Sequence, residues 1–224
     1  MFIDKILVAI DFGKETNNIV SYAGYFSLKT GGYLYFLNVI DYIITPPAYV
    51  LKYIDEEKRT IEKRFIDIKS ILERYNIKLD LEVVVGRLQE SFQKYIDEKK
   101  PQMLVIGFSR HQFRRSSSEK IIKSLKIPML VVRGVSFNEI DLNSVSVKKM
   151  LCPVDLSEPS KKALSFSLKL SQYLSADFSV LHVISNRFMK NKILKKEDLK
   201  SYFKVILEER RKEFYRYLED FSCK

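Results

Sequence analysis

Two cysteines, two histidines, no tryptophan and no long run of uncharged apolar residues set the first limits on this 224-residue chain. Cys152 and Cys223 lack metal-ligand spacing and are too few for a disulfide framework, which leaves core packing for the first and a frayed end for the second. His111 and His182 lie far apart, with no metal-binding cluster or paired-carboxylate motif beside them, so a catalytic or metal centre finds no support and a non-enzymatic protein is expected. The lack of about 18 consecutive apolar residues excludes a membrane-spanning helix. Asp4 and Lys5 interrupt the first apolar stretch and no small-residue cleavage site follows, so a cytoplasmic protein without a secretory signal is expected.

The net charge of +11 is spread along the chain and not gathered in one block. Lysine and arginine alternate with acids in Asp55-Glu56-Glu57-Lys58-Arg59 and Glu208-Glu209-Arg210-Arg211-Lys212-Glu213, as on solvated helix faces. Nucleic acid is therefore not an expected partner, although the balance permits an anionic one.

The chain begins twice. Lys5-Ile6-Leu7-Val8-Ala9-Ile10-Asp11 returns as Lys149-Met150-Leu151-Cys152-Pro153-Val154-Asp155, and the register holds without a gap to Leu37-Asn38-Val39-Ile40 against Leu181-His182-Val183-Ile184. In the first copy, short apolar strands at Ile6–Ile10, Tyr33–Ile40, Leu79–Val85, Met103–Ile106 and Met129–Val132 alternate with helical patterns, the longest from about Leu51 to Tyr75. Such alternation predicts right-handed crossovers and a parallel sheet. Residues 1–134 then form a complete five-stranded α/β domain, 135–147 a polar linker, and 148–224 a partial second copy that runs strand, helix, strand, helix. Pro153 is awkward inside a strand, because it donates no ladder hydrogen bond.

The acidic residue closing the first strand, the Leu-Asn-Val and Leu-His-Val strand ends, Val85-Gly86, Val105-Ile106-Gly107 and Pro128-Met129-Leu130-Val131-Val132 occur in an order and spacing that resemble the universal stress protein family. Cys152-Pro153-Val154-Asp155-Leu156-Ser157-Glu158-Pro159-Ser160 resembles that family's opening still more closely. The resemblance implies a Rossmann-like sheet of strand order 3-2-1-4-5, with any ligand over the carboxyl ends of strands 1 and 4, where open α/β sheets bind ligands. It implies an acidic contact to a nucleotide at Asp11, main-chain contacts to adenine at Val39 and Ile40, and a glycine-rich phosphate loop from Gly107 to a helix opened by Ser116 and Ser117. Asp11 suits a turn-capping role equally well.

In that loop, Gly107 keeps the family's first glycine, while Arg110 and Arg115 stand where two further glycines are expected and the four residues between them make a shorter loop. The implied outcome is weak or no ATP binding. No cofactor is certain, and ATP and AMP are the candidates. Arg110, His111, Arg114, Arg115 and the hydroxyls of Ser116 to Ser118 also suit a different phosphate or polyanion site, or a plain basic loop with a serine cap, and both readings stay open. Three functions are thus carried forward: a stress-response binding and interaction protein, an adenine-nucleotide-binding protein or weak ATPase, and a polyanion-binding regulatory module. Strand 128–133 ends the sheet with an apolar edge, through which a homodimer is expected.

Overall fold

A computed structural model describes residues 3–41, 48–108, 117–134, 137–184 and 196–222. The chain divides into two units, Met1–Ser146 and Val147–Lys224.

The first unit runs β1 (Lys5–Ala9), α1 (Thr16–Thr30), β2 (Tyr33–Asp41), α2 (Ala48–Glu73), β3 (Leu79–Gly86), α3 (Leu88–Lys99), β4 (Met103–Gly107), α4 (Ser117–Ser124) and β5 (Met129–Val132). Its sheet has the order β3-β2-β1-β4-β5 and every neighbouring pair is parallel, as expected. β1 is central, and Ile6, Leu7 and Val8 are wholly buried because helices cover both faces. On one face Leu7, Ala9, Leu37, Leu104 and Ile106 pack with Phe92 and Tyr95 of α3 and Ile121 and Leu125 of α4. On the other, Phe36 meets Phe65 of α2 with ring centroids 5.1 Å apart.

Main-chain groups alternate sides along a strand, and this decides what the strand ends can offer. The Asp4 carbonyl accepts from Tyr33 N–H at 2.8 Å and Ile10 N–H donates to the Leu37 carbonyl at 3.2 Å, so even-numbered residues of β1 face β2. The Lys5 carbonyl accepts from Gln102 N–H at 3.0 Å, so odd-numbered ones face β4.

Residues 137–146, read from sequence as part of a linker, pack on α1. Asn17 Nδ2 donates to the carbonyls of Phe137 and Asn138, Phe137 N–H donates to Asn18 Oδ1, and Asp141 N–H donates to Ser21 Oγ. Leu142 and Val145 are buried. A Cβ on Gly24 would lie 2.7 Å from Leu142 Cδ2, so the close approach depends on glycine at that position. The segment looks like a linker in sequence because its anchors are small polar residues of a helix, not apolar ones.

The second unit runs β6 (Lys149–Val154), α5 (Glu158–Leu174), β7 (Asp177–His182) and α6 (Lys196–Ser222). Two parallel strands make its sheet. Cys152, Val154, Leu164 and Tyr217 form the core, with Phe178, Val180 and Phe214 against it. Cys152 is buried and free, which fits the packing role expected of it, and Cys223 lies outside the described residues. Ser157 caps α5 by accepting from Ser160 N–H at 3.3 Å, with Pro159 in the first turn.

The two units share their strand register at an offset of 144 residues, the distance from Lys5 to Lys149. Lys5 pairs with Tyr33 and Lys149 with Asp177, and the pairing runs on in step along both ladders. Tyr33 N–H donates to the Asp4 carbonyl at 2.8 Å, and Asp177 N–H to the Lys148 carbonyl at 2.9 Å. By the same alternation Lys149, Leu151 and Pro153 face away from β7. Pro153 therefore lacks a donor only on the side of β6 that has no neighbouring strand among the described residues, which removes the objection to proline in this strand.

Candidate functional site

At the carboxyl ends of β1 and β2 lies a cleft of about 530 Å³, lined by Asp11, Phe12, Asn38, Val39, Ile40 and Asp41 together with Glu57, Thr60, Ile61 and Arg64 of α2. The sheet builds its floor. Ile10 makes the last β1 bond to Leu37, and the alternation directs the main-chain N–H and C=O of Val39 to the same side, past the end of β1. A planar ligand laid there meets one donor and one acceptor already oriented by the strand.

Asn38 fixes the corner between the two strands. It is buried, and its Nδ2 donates to the Ile10 carbonyl at 2.8 Å, while its Oδ1 is buried with no hydrogen-bond partner among the described residues. An orphaned buried acceptor carries a desolvation cost of about 1–3 kcal/mol.

Asp11 closes a tight turn: its Oδ1 accepts Gly13 N–H at 2.8 Å. The capping role weighed for it from sequence is present, and the carboxylate remains exposed at the cleft. Phe12 between them has φ of 56°, a left-handed conformation that costs a non-glycine residue roughly 1–2 kcal/mol. Arg64 braces it from α2. The guanidinium stands 4.9 Å from the Phe12 ring centroid, and Nη2 donates to the Phe12 carbonyl at 2.9 Å. The large side chain after Asp11 thus forms a buried wall of the cleft.

The second unit repeats this turn. Leu156, at the position of Phe12, has φ of 66°, and Asp155 Oδ1 accepts Ser157 N–H at 3.0 Å and Ser157 Oγ–H at 2.5 Å. Those bonds from Ser157, the hydroxyl first, hold the Asp155 carboxyl below the usual aspartate range.

Of the residues predicted from sequence, Asp11, Val39 and Ile40 come together in the cleft. Gly107 ends β4 and is not among the lining residues. A Cβ there would lie 2.7 Å from Ile19 Cδ1 and 3.1 Å from Glu15 Cβ, so close approach of α1 accounts for the glycine. Arg110, His111, Arg115 and Ser116 lie outside the described residues; Ser117 opens α4, and its side chain is likewise outside them. Sequence reading missed Glu57, Thr60 and Arg64. Their signal is the spacing 57, 60, 61, 64, one stripe of a helix, with Ile61 already recognised as apolar. Among the described residues no group of histidine, cysteine and acidic side chains can hold a metal, and no helix is long and apolar enough to cross a membrane.

Fold and cleft together define a doubly wound α/β domain with an open cleft at the carboxyl end of its sheet, where such sheets bind ligands. The model of the universal stress protein family matches residues 3–133, and the chain belongs to that family. The second unit lies beyond the matched residues. Among solved structures, universal stress protein UspA from Lactobacillus plantarum is 14% identical, with 58% of this chain and 98% of that one covered and a TM-score of 0.53. The universal stress protein from Archaeoglobus fulgidus in complex with dAMP is 17% identical over 59% and 100% of the two chains, at a TM-score of 0.47. A universal stress protein in complex with cAMP is 16% identical over 58% and 96%, at 0.46. The likeness to the Lactobacillus plantarum protein, at 14% identity, speaks for the fold alone. No match is found among curated proteins.

Proposed function

We propose that this chain is a non-enzymatic, cytoplasmic stress-response binding protein whose cleft takes the base and ribose of an adenine nucleotide, with ATP held little or no better than AMP. The observation that carries the reading is the main chain of Val39, which passes the end of β1 inside a cleft of about 530 Å³ and leaves a donor and an acceptor for the edge of a base. Family membership supports adenine as that base. The replacement of loop glycines by Arg110 and Arg115 supports weak gain from the outer phosphates, because arginine adopts the φ-positive geometry of a phosphate cradle only at a cost.

Residues 148–224 are read as a partial copy of the first unit, on the shared strand register and the matching turns at Phe12 and Leu156. Homodimerisation through Pro128 to Arg133 is part of the same proposal, since Val131 is 40% exposed on the edge strand β5. Calorimetry on the full chain with AMP and ATP tests the ligand reading. The expected result is saturable AMP binding with ATP no more than about threefold tighter, equivalent to less than about 1 kcal/mol. ATP binding more than tenfold tighter than AMP, and abolished by Arg115→Glu, would replace it with an ATP-binding protein.

A further inference from the structure

Six polar side chains line the cleft: Asp11, Asn38, Asp41, Glu57, Thr60 and Arg64. Five of them hold bonds inside the protein. Asp11 Oδ1 accepts Gly13 N–H, Asn38 Nδ2 donates to the Ile10 carbonyl and Arg64 Nη2 to the Phe12 carbonyl. Thr60 Oγ1 donates to the Glu56 carbonyl at 2.8 Å, and Asp41 Oδ1 accepts Leu88 N–H at 3.4 Å, at the start of α3. Glu57 alone has no hydrogen bond or ion pair among the described residues. The helix sets its place on the cleft wall, because Ile61, one turn along the same stripe, is buried, and Arg64 follows on the next turn against Phe12.

An ionised carboxylate only accepts hydrogen bonds, so the ligand group that answers Glu57 must bring donors, which an ionised phosphate does not. Arg64, the one cation lining the cleft among the described residues, is already stacked on Phe12 and bound to its carbonyl. Position narrows the choice further. β2 and β3 are parallel, so α2 between them runs back against the strands, and Glu57 stands a helical turn, about 5.4 Å, farther beyond the strand ends than Ile61. A purine whose hydrogen-bonding edge meets the Val39 main chain carries its sugar on the opposite side of the ring, away from the strand ends. Its exocyclic amine is then taken by the Val39 carbonyl, and the pair of donors left is the vicinal diol of ribose. We propose that Glu57 is the specificity-determining residue of the cleft, accepting the 2′- and 3′-hydroxyls of a ribonucleoside and selecting it over the 2′-deoxy form. A carboxylate on a ribose hydroxyl is chemistry that doubly wound α/β sheets also use for dinucleotides. The inference rests on the adenine-nucleotide reading and adds to it the residue that reads the sugar.

Calorimetry on the full chain with AMP, 2′-deoxy-AMP and adenosine tests this, in the parent and in Glu57→Gln. The parent should bind AMP at least about tenfold more tightly than 2′-deoxy-AMP, the scale of a hydrogen bond to a charged group. Glu57→Gln should weaken AMP by about tenfold and 2′-deoxy-AMP by much less, so that the variant holds the two within about threefold of each other. Adenosine should lose affinity as AMP does, because the contact is to the sugar and not to the phosphate. Glu57 is exposed, so the ligand-free variant should unfold at the same temperature as the parent. A lowered unfolding temperature, 2′-deoxy-AMP bound by the parent as tightly as AMP, or an equal loss of both ligands in Glu57→Gln would overturn the inference and leave the adenine reading in place. Absence of saturable binding by all three ligands would overturn that reading and this inference with it.

Discussion

Asn38 reaches back from the end of β2 and donates its Nδ2 hydrogen to the carbonyl oxygen of Ile10, 2.8 Å away. In the second unit, His182 Nδ1 stands 2.9 Å from the carbonyl of Val154, the register equivalent. Two residue types serve one bond, because both carry a donor about the same distance from Cα. His182 must hold its proton on Nδ1 to make it.

Asn38→Leu should destabilise the first unit by about 1–2 kcal/mol, since the Ile10 carbonyl loses its buried donor. Asn38→His should recover part of that loss. Urea denaturation read by circular dichroism checks both, and equal stability of Asn38→Leu and the parent would show that the bond is incidental.

Arg64 braces a strained residue. Arg64→Ala removes the stack on Phe12 and the donor to its carbonyl, for an expected loss of about 1 kcal/mol at this exposed site. Arg64→Lys should restore little, because an ammonium cannot present the planar fork that stacks and donates together. Thermal unfolding of the three proteins measures this.

The glycine of Gly107 is explained by packing. Gly107→Ala forces its Cβ against Ile19 and should cost about 1–3 kcal/mol with no ligand present. Ile19→Ala should relieve most of that overlap, so the double mutant should be less unstable than the two single losses predict. An unchanged stability for Gly107→Ala would return the glycine to a purely ligand-binding role.

Asp155 links the second turn to acid. Its folded carboxyl is held below the usual aspartate value by Ser157, so the turn is favoured above the unfolded value and that contribution is lost as pH falls through the folded one. Asp155→Asn should flatten the pH dependence of second-unit stability below about pH 4. Carboxyl NMR titration of the parent should find Asp155 below ordinary aspartates.

Much of the fold was legible because buried parallel strands read as short apolar runs, which located the strands at 33–41, 79–86, 103–107 and 129–132, while the order β3-β2-β1-β4-β5 came from the resemblance to the universal stress protein family. Asp11, Val39 and Ile40 came from the family resemblance, which could be carried over because strand ends hold a fixed position in the sequence. Arg64, Thr60 and Glu57 were not found, since a charged helix stripe looks the same facing a cleft or facing water. The docking of residues 137–146 was hidden for a related reason. Asn17, Asn18 and Ser21 hold it by hydrogen bonds to main chain, and main chain has no sequence.

The most direct test of the nucleotide reading is an amide NMR titration of the full chain with AMP. Saturable shifts confined to Phe12, Val39, Ile40 and their neighbours, and weakened in Arg64→Ala, are the predicted result. No shift at millimolar AMP, or shifts only elsewhere in the chain, would contradict it.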